Sequence, residues 1–266
     1  MGKTSTSQYT AAVDALRTDI ARGVYAPGDW LPSEAAIMAR YHVSRYSARE
    51  ALKRLAAEGL IVTVDGKGSH VKTRHDRATY SGLRSLRRTS SDTGTVHYVD
   101  TELENWSPVD QPRRYRATAT LDLALSLGVP EHTPLFVYHR LLHHHSTTET
   151  TPDNRDGNGQ RMIHRLYLPA ATCTDIPALA DDPFRDPGEL YALLTQAGQT
   201  LHWVEHVRAT TPTPEDTTTL HIPPGLPVLI TRRITTNTHT RPLAMEETRR
   251  NADNTQLSYP QTPTTD

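Results

Sequence analysis

Arg45 and Arg49 stand four residues apart in SRYSAREALKRLAAEG, the spacing that places two side chains on one face of a helix. A guanidinium is a planar fork of N–H donors, and that fork matches the O6 and N7 acceptors of guanine in the major groove of DNA. Tyr46 shares the exposed side, where stacking on a base or touching a thymine methyl competes with simple exposure. Lys53 either meets a phosphate or faces solvent near Glu50. Ser44 and Ser47 open the same segment and Ser33 opens the one before it. Their hydroxyls and the free amides of a helix N-terminus can hold a phosphate. Downstream, Gly66, Lys67 and Gly68 combine a backbone able to approach a partner closely with a positive charge.

Such side chains need elements that aim them. Val13, Leu16 and Ile20 recur at helical spacing, and Gly23 stops the pattern. After the turn Ala26-Pro27-Gly28, Ser33 reads as the N-cap of a helix on which Ile37 and Tyr41 share a face. His42-Val43 is a tight turn, and Ser44 caps a further helix that buries Ala48, Ala51, Leu52 and Leu55 and ends at Gly59. Leu60 to Val64 and Ser69 to Thr73 read as strands joined by an Asp65-Gly66 hairpin. The order predicts a helix-turn-helix followed by a β-wing, which sets the helix bearing Arg45 and Arg49 into the major groove.

Charge supports a polyanionic partner for this part alone. Residues 1–88 hold 15 Lys and Arg against 8 Asp and Glu, a net +7; the remainder holds 14 against 22, a net −8. The chain has 266 residues, enough for two domains, and 36% hydrophobic with 22% charged residues is ordinary for a soluble protein. No apolar run approaches the roughly 20 residues of a membrane span, and the N-terminus lacks the pattern of a signal peptide. The lone Cys173 cannot form an internal disulfide, consistent with a reducing cytoplasm. The expected location is cytoplasmic, with no membrane partner.

The sequence predicts four segments: a winged helix-turn-helix over 1–73, a polar linker over 74–92, a second domain over 93–259 to which the resemblance given below assigns effector binding and dimerisation, and a disordered tail over 260–266. In the third segment Leu121 to Leu127 and Glu189 to Ala197 read as helices. Leu135 to His144, Met162 to Leu168, Leu201 to Thr210, Pro227 to Thr236 and Leu243 to Arg250 read as strands. Helices mixed with hairpins predict an α+β fold on an antiparallel sheet.

The stretch LRTDIARGVYAPGDWLPSEAAIMARYHVSRYSAREALKRLAAEGLIVTVDGKGSHV resembles the DNA-binding domain of the GntR family of bacterial transcription regulators. The resemblance rests on PGDWLPSE, the VSR before the reading helix, AREALKRLAAEGLI and the wing glycines; Tyr46 stands where the family commonly has Thr. It implies DNA contact at Arg45, Ser47 and Arg49, with Gly66, Lys67 and Gly68 at the wing tip. Further on, LGVPEHTPLFVYHRLL, RLYLP, ELYALL, LHIPPGLPVLITRR and RPLAMEETRRNADNTQLSY resemble, in order, the UTRA effector domain of the HutC-type branch, whose fold is similar to chorismate lyase.

By that resemblance Arg140 matches the first arginine of an R-L-R strand motif that helps hold an anion. Leu142 replaces the second arginine, which weakens the case for phosphate. Glu247 matches an acidic position lining the pocket, and Arg165 is a weaker candidate. A guanidinium and a carboxylate facing one cavity could read a zwitterion or polar metabolite; equally, Arg140 and Glu247 could form a buried ion pair that supports the sheet. The run His143-His144-His145 lacks carboxylate or Cys partners at metal spacing and reads as exposed imidazoles, so no metal or cofactor is expected. No nucleophile–base arrangement points to an enzyme. The expected function is a repressor acting as a homodimer on a palindromic double-stranded operator under a small-molecule effector. The alternatives are a second domain that only dimerises and, behind that, an enzyme tethered to DNA.

Overall fold

The computed structural model describes residues 3–64, 66–72, 80–83, 85–90, 96–144, 160–222 and 225–258. The chain divides into two units, one built on its first 80 residues and one on the rest, with residues 222–227 and 253–255 grouping with the first.

In the first unit, helices α1 (Lys3–Ala21), α2 (Glu34–Tyr41) and α3 (Arg45–Ala57) precede a hairpin of β1 (Ile61–Val64) and β2 (Gly68–Val71). Gly23, with φ +75°, follows α1. Ser33 caps α2 by accepting from the Ala36 amide at 3.2 Å, and Ser44 caps α3 by accepting from the Ser47 amide at 3.1 Å. His42 takes the left-handed conformation between α2 and α3, which turns the chain sharply enough to cross the two helices. Leu16, Ile37, Ala48, Ala51 and Leu55 are buried together with Ile61 and Val71, while Leu52 is only half-buried. The segment before α2 seals the wing: Leu31 N–H donates to the Ser69 carbonyl at 2.8 Å, and Trp30 sets its ring edge against His70.

Next come β3 (Tyr80–Leu83), β4 (Leu86–Ser90), β5 (Val96–Asp100), β6 (Trp106–Pro108), β7 (Arg113–Thr118), α4 (Leu121–Leu127), β8 (Pro134–His144) and β9 (Arg161–Pro169). The short helices α5 (Ala170–Asp175) and α6 (Pro177–Asp181) lead to α7 (Pro187–Gln196) and β10 (His202–Thr210). Then α8 (Pro214–Thr219), β11 (Val228–Thr236), β12 (Pro242–Asn251) and β13 (Thr255–Ser258) complete the described chain. A seven-stranded antiparallel sheet runs β10-β11-β12-β9-β8-β6, with β7 also on β8. The α+β reading with an antiparallel sheet therefore holds.

Side-chain alternation gives the sheet two distinct faces. One face carries Tyr138, Leu166 and Leu168 under α7. The other carries Leu135, Val137, Tyr167, Ile234 and Met245 against Leu127 and Ala124 of α4.

The expected linker over 74–92 is corrected in its described part. It contains β3, which pairs with β13, and β4, which pairs with β5. Its polar sequence concealed β4 because four of that strand's five side chains are exposed, so no apolar alternation is needed. Residues 74–79, 84 and 91–92 of that stretch and the expected tail over 260–266 lie outside the described residues. Among the described residues no helix is long and apolar enough to cross a membrane.

Candidate nucleic-acid interface and effector pocket

The outer face of α3 is built from its first turns. Ser44 fixes the start, Ala48, Ala51 and Leu55 fix the buried side, and Arg45, Tyr46, Arg49 and Lys53 are left outward. Tyr46 is 75% exposed, a large aromatic ring in solvent at the start of this helix. Ser47 sits beside the cap, its hydroxyl 3.0 Å from that of Ser44. Lys53 donates to Glu50 at 2.8 Å. Arg49 has a carboxylate partner on another helix: its Nε and Nη2 donate to Oε1 and Oε2 of Glu34 at 3.0 and 3.2 Å. Sequence reasoning missed Glu34, because a partner 15 residues away across a turn leaves no trace in helical periodicity.

At the wing, Gly66 and Gly68 have φ of +73° and +112°, conformations that favour glycine. Lys67 is exposed between them, its N–H donating to the Val64 carbonyl. Asp65, the other half of the expected turn, lies outside the described residues. Ser33, Ser44, Arg45, Tyr46, Ser47, Arg49, Lys53, Gly66, Lys67 and Gly68 thus belong to one unit, the side chains on the outer surface of α3, the cap of α2 and the wing tip.

In the second unit a row of charged groups crosses the face beneath α7. Strand register sets Arg140 opposite His164, and Arg233 opposite both Glu246 and Glu205. The His164 ring bridges the first two strands to the third. Its Nδ1 is 3.2 Å from Arg140 Nη2, and its Nε2 is 2.7 Å from Glu246 Oε2. A guanidinium can only donate, so Nδ1 accepts and the ring proton lies on Nε2, directed at Glu246. Glu246 also accepts from the Tyr191 hydroxyl of α7 and from Arg233. Arg233 further binds Asp100 at 2.6 Å and Glu205 at 2.9 Å.

Burial, then the Arg140 charge, pushes His164 below its ordinary range and keeps it neutral. Burial alone would raise the Glu246 carboxyl. The His164 N–H and the Arg233 guanidinium outweigh it and hold that group well below the usual carboxylate range.

This row borders a cavity of about 240 Å³ between the sheet, β4–β5 and the start of α7, lined by Leu86, Tyr98, Asp100, Leu103, Arg140, Asp186, Gly188, Tyr191 and Glu246, among others. A Cβ on Gly188 would sit 2.6 Å from the Tyr98 carbonyl oxygen, so α7 approaches β5 as closely as glycine allows. The Arg140 Nε is buried with no hydrogen-bond partner among the described residues.

The expected pairing of Arg140 with Glu247 is corrected. Successive residues of β12 point to opposite faces, so Glu246 joins Arg140 and Glu247 lies on the far side. There Glu247 accepts from Arg232 at 2.8 Å, and Arg232 also reaches Asp122 of α4. Arg165, directly opposite Glu247 in register, shares that far face and donates to Glu215 at 2.7 Å. Neither Glu247 nor Arg165 lines the cavity beside Arg140. His143 and His144 end β8, with the His144 ring against Trp106, and His145 lies outside the described residues. Among the described residues no group of three or more His, Cys, Asp and Glu is arranged to hold a metal ion.

Comparison with known proteins agrees with this two-part construction. Residues 8–71 match the family model for bacterial regulatory proteins of the gntR family, and residues 160–256 match the UTRA domain. An HTH-type transcriptional regulator of Rhizobium meliloti (strain 1021) is 28% identical over 92% of this chain and 91% of its own length. The histidine utilization repressor of Klebsiella aerogenes is 28% identical over 86% of this chain and 85% of its own. In fold, a crystal structure of a GntR-family transcriptional regulator aligns with a TM-score of 0.55 at 20% identity, covering 97% of this chain and 98% of that one. These relatives are regulators of transcription rather than enzymes. The chain is a DNA-binding transcription regulator and belongs to the GntR family, in the branch that joins a winged helix-turn-helix to a UTRA domain.

Proposed function

We propose that this regulator is a cytoplasmic repressor that binds a palindromic operator as a homodimer and answers to a small anionic or zwitterionic effector held at Arg140. In this reading Arg45 and Arg49 read guanines, and Tyr46 touches a neighbouring base. Ser33, Ser44 and Ser47 with the helix-start amides hold phosphates, Lys53 adds charge, and Gly66, Lys67 and Gly68 meet the minor groove. Two-fold symmetry of the protein would be mirrored in the operator, with half-sites about one helical turn apart. The name of the Klebsiella relative, a repressor, agrees with the direction of control.

The observation that carries the effector reading is the state of Arg140. Its side-chain partner is the His164 ring, whose pKa burial lowers, and its buried Nε has no hydrogen-bond partner among the described residues. The nearby carboxylate Glu246 is already bound by His164, Tyr191 and Arg233. A cation left with an unspent donor at a cavity is suited to a carboxylate-bearing metabolite. Effector binding alters operator affinity only through unequal affinity for the two states of the dimer.

The test is a thermal-shift screen of carboxylate and phosphate metabolites on the wild type and on Arg140→Met, since any ligand that binds the folded state stabilises it. Stabilisation by a carboxylate in the wild type alone supports the reading. Stabilisation that survives Arg140→Met, or none at all in a protein that still binds operator, overturns it; the latter favours a second domain that only dimerises.

A further inference from the structure

We propose that Glu34 is a positioning residue for DNA reading: it holds the Arg49 guanidinium by one edge so that the other edge faces a guanine. The inference rests on the reading, given above, that Arg49 contacts a base. Glu34 is the first residue of α2, and Arg49 lies in the second turn of α3. Their contact is bidentate and side-on, using Nε and one N–H of Nη2 at 3.0 and 3.2 Å. A guanidinium has five N–H groups. The side-on pair leaves both N–H groups of Nη1 and the second of Nη2. One from each terminal nitrogen forms the parallel end-on fork that guanine O6 and N7 accept. The carboxylate therefore need not be displaced when DNA binds.

The other paired cations of α3 differ in kind. Lys53 pairs with Glu50 and Arg54 with Glu58, each within about one turn, so those carboxylates lie on or at the end of the helix that carries the cation. Glu34 belongs to a different helix, joined to α3 by the turn at His42, and it fixes the guanidinium against a second element. Arg49 is exposed, at 58%, and Glu34 partly so, at 34%, and a pair this open to solvent contributes little to stability. An arrangement with little value to the fold, at the centre of the reading face, points to recognition.

The sign of the effect separates positioning from simple charge. Removing an anion from a DNA-facing surface strengthens sequence-independent binding. Loosening the fork weakens discrimination. The experiment measures affinities of the full chain for an operator fragment selected by the wild type, and for scrambled DNA, at fixed salt. For Glu34→Ala the operator-to-scrambled ratio should fall about tenfold, one bidentate contact's worth of discrimination, while scrambled-DNA affinity rises. Glu34→Gln keeps one acceptor without charge, so its ratio should fall less than that of Glu34→Ala while scrambled-DNA affinity rises similarly. An unchanged ratio in both variants, or equal strengthening on both DNAs as expected of an inhibitory clamp, overturns the proposal. Arg49→Ala isolates the underlying reading: if its ratio matches the wild type, Arg49 reads no base and the proposal falls with it. If Arg49→Ala loses the ratio but Glu34→Ala does not, only the positioning role fails.

Discussion

Replacing Arg233 by methionine separates the arginine that supports the effector domain from the one left for a ligand. Arg233 is 3% exposed and holds Asp100, Glu205 and Glu246 from three other strands. Arg233→Met removes the cation from among these carboxylates while keeping the stem's volume. Breaking a buried pair by deleting one partner costs about 3–5 kcal/mol, against the roughly 5–15 kcal/mol that holds a typical domain together. With a urea m-value near 2 kcal/mol/M, the unfolding midpoint should fall by roughly 1.5–2.5 M. Arg140→Met is the contrast. Arg140 gives one side-chain hydrogen bond, to a neutral imidazole, and losing it should cost about 1 kcal/mol, or roughly 0.5 M. Trp106 and Trp203 lie in this unit and Trp30 in the other, so tryptophan fluorescence in a urea titration follows it on a Trp30→Phe background. The reasoning is refuted if Arg233→Met unfolds within about 0.5 M of the wild type, or if the two variants are equally destabilised.

Two further outcomes follow from the same geometry. Ser44→Ala removes the cap of α3 and should cost about 1 kcal/mol of stability in the DNA-binding unit, seen as a lower melting temperature; a melting curve overlying the wild type would contradict the capping role. The effector domain should also lose stability in mild acid. Burial lowers the pKa of His164 and takes the half-buried His139 down to about 4, whereas unfolded histidines titrate near 6.5. The unfolded chain therefore takes up protons first, and stability falls as pH drops below about 6.5. Glu246, held low in the fold, adds to the loss at still lower pH, through the unfolded carboxylate range near 4.3. Between pH 7 and 5.5 a fully neutral buried histidine is worth about 1 kcal/mol, with less from His139 because solvent screens it. A midpoint that holds or rises at pH 5.5 would contradict this assignment.

The DNA-binding unit was legible because its signals are local. Ser33 and Ser44 act within one turn of their helices, His42 and Gly66 mark reversals, and the buried side of α3 repeats at helical spacing. The strands of the effector domain were legible too, since hydrophobic runs mark β8, β9, β11 and β12. Which face each residue occupies was not. Glu246 and Glu247 are adjacent, chemically identical and on opposite sides of the sheet, and a shift of one residue exchanges them. The place beside Arg140 that the resemblance implies for Glu247 is occupied by Glu246. His164, Tyr191, Asp100 and Arg233 escaped notice for a related reason. They converge from β9, α7, β5 and β11, and only register and packing bring them together.

Methylation interference on a selected operator bears most directly on DNA recognition by α3. Methylating guanine N7 blocks one acceptor of the arginine fork without altering the phosphates. Binding by a dimer through Arg45 and Arg49 predicts interference at guanines in two symmetric half-sites, with centres about 10–10.5 base pairs or a multiple apart, and loss of that interference pattern in Arg49→Ala. Uniform tolerance of methylation, or interference confined to a single half-site, would contradict the proposed reading.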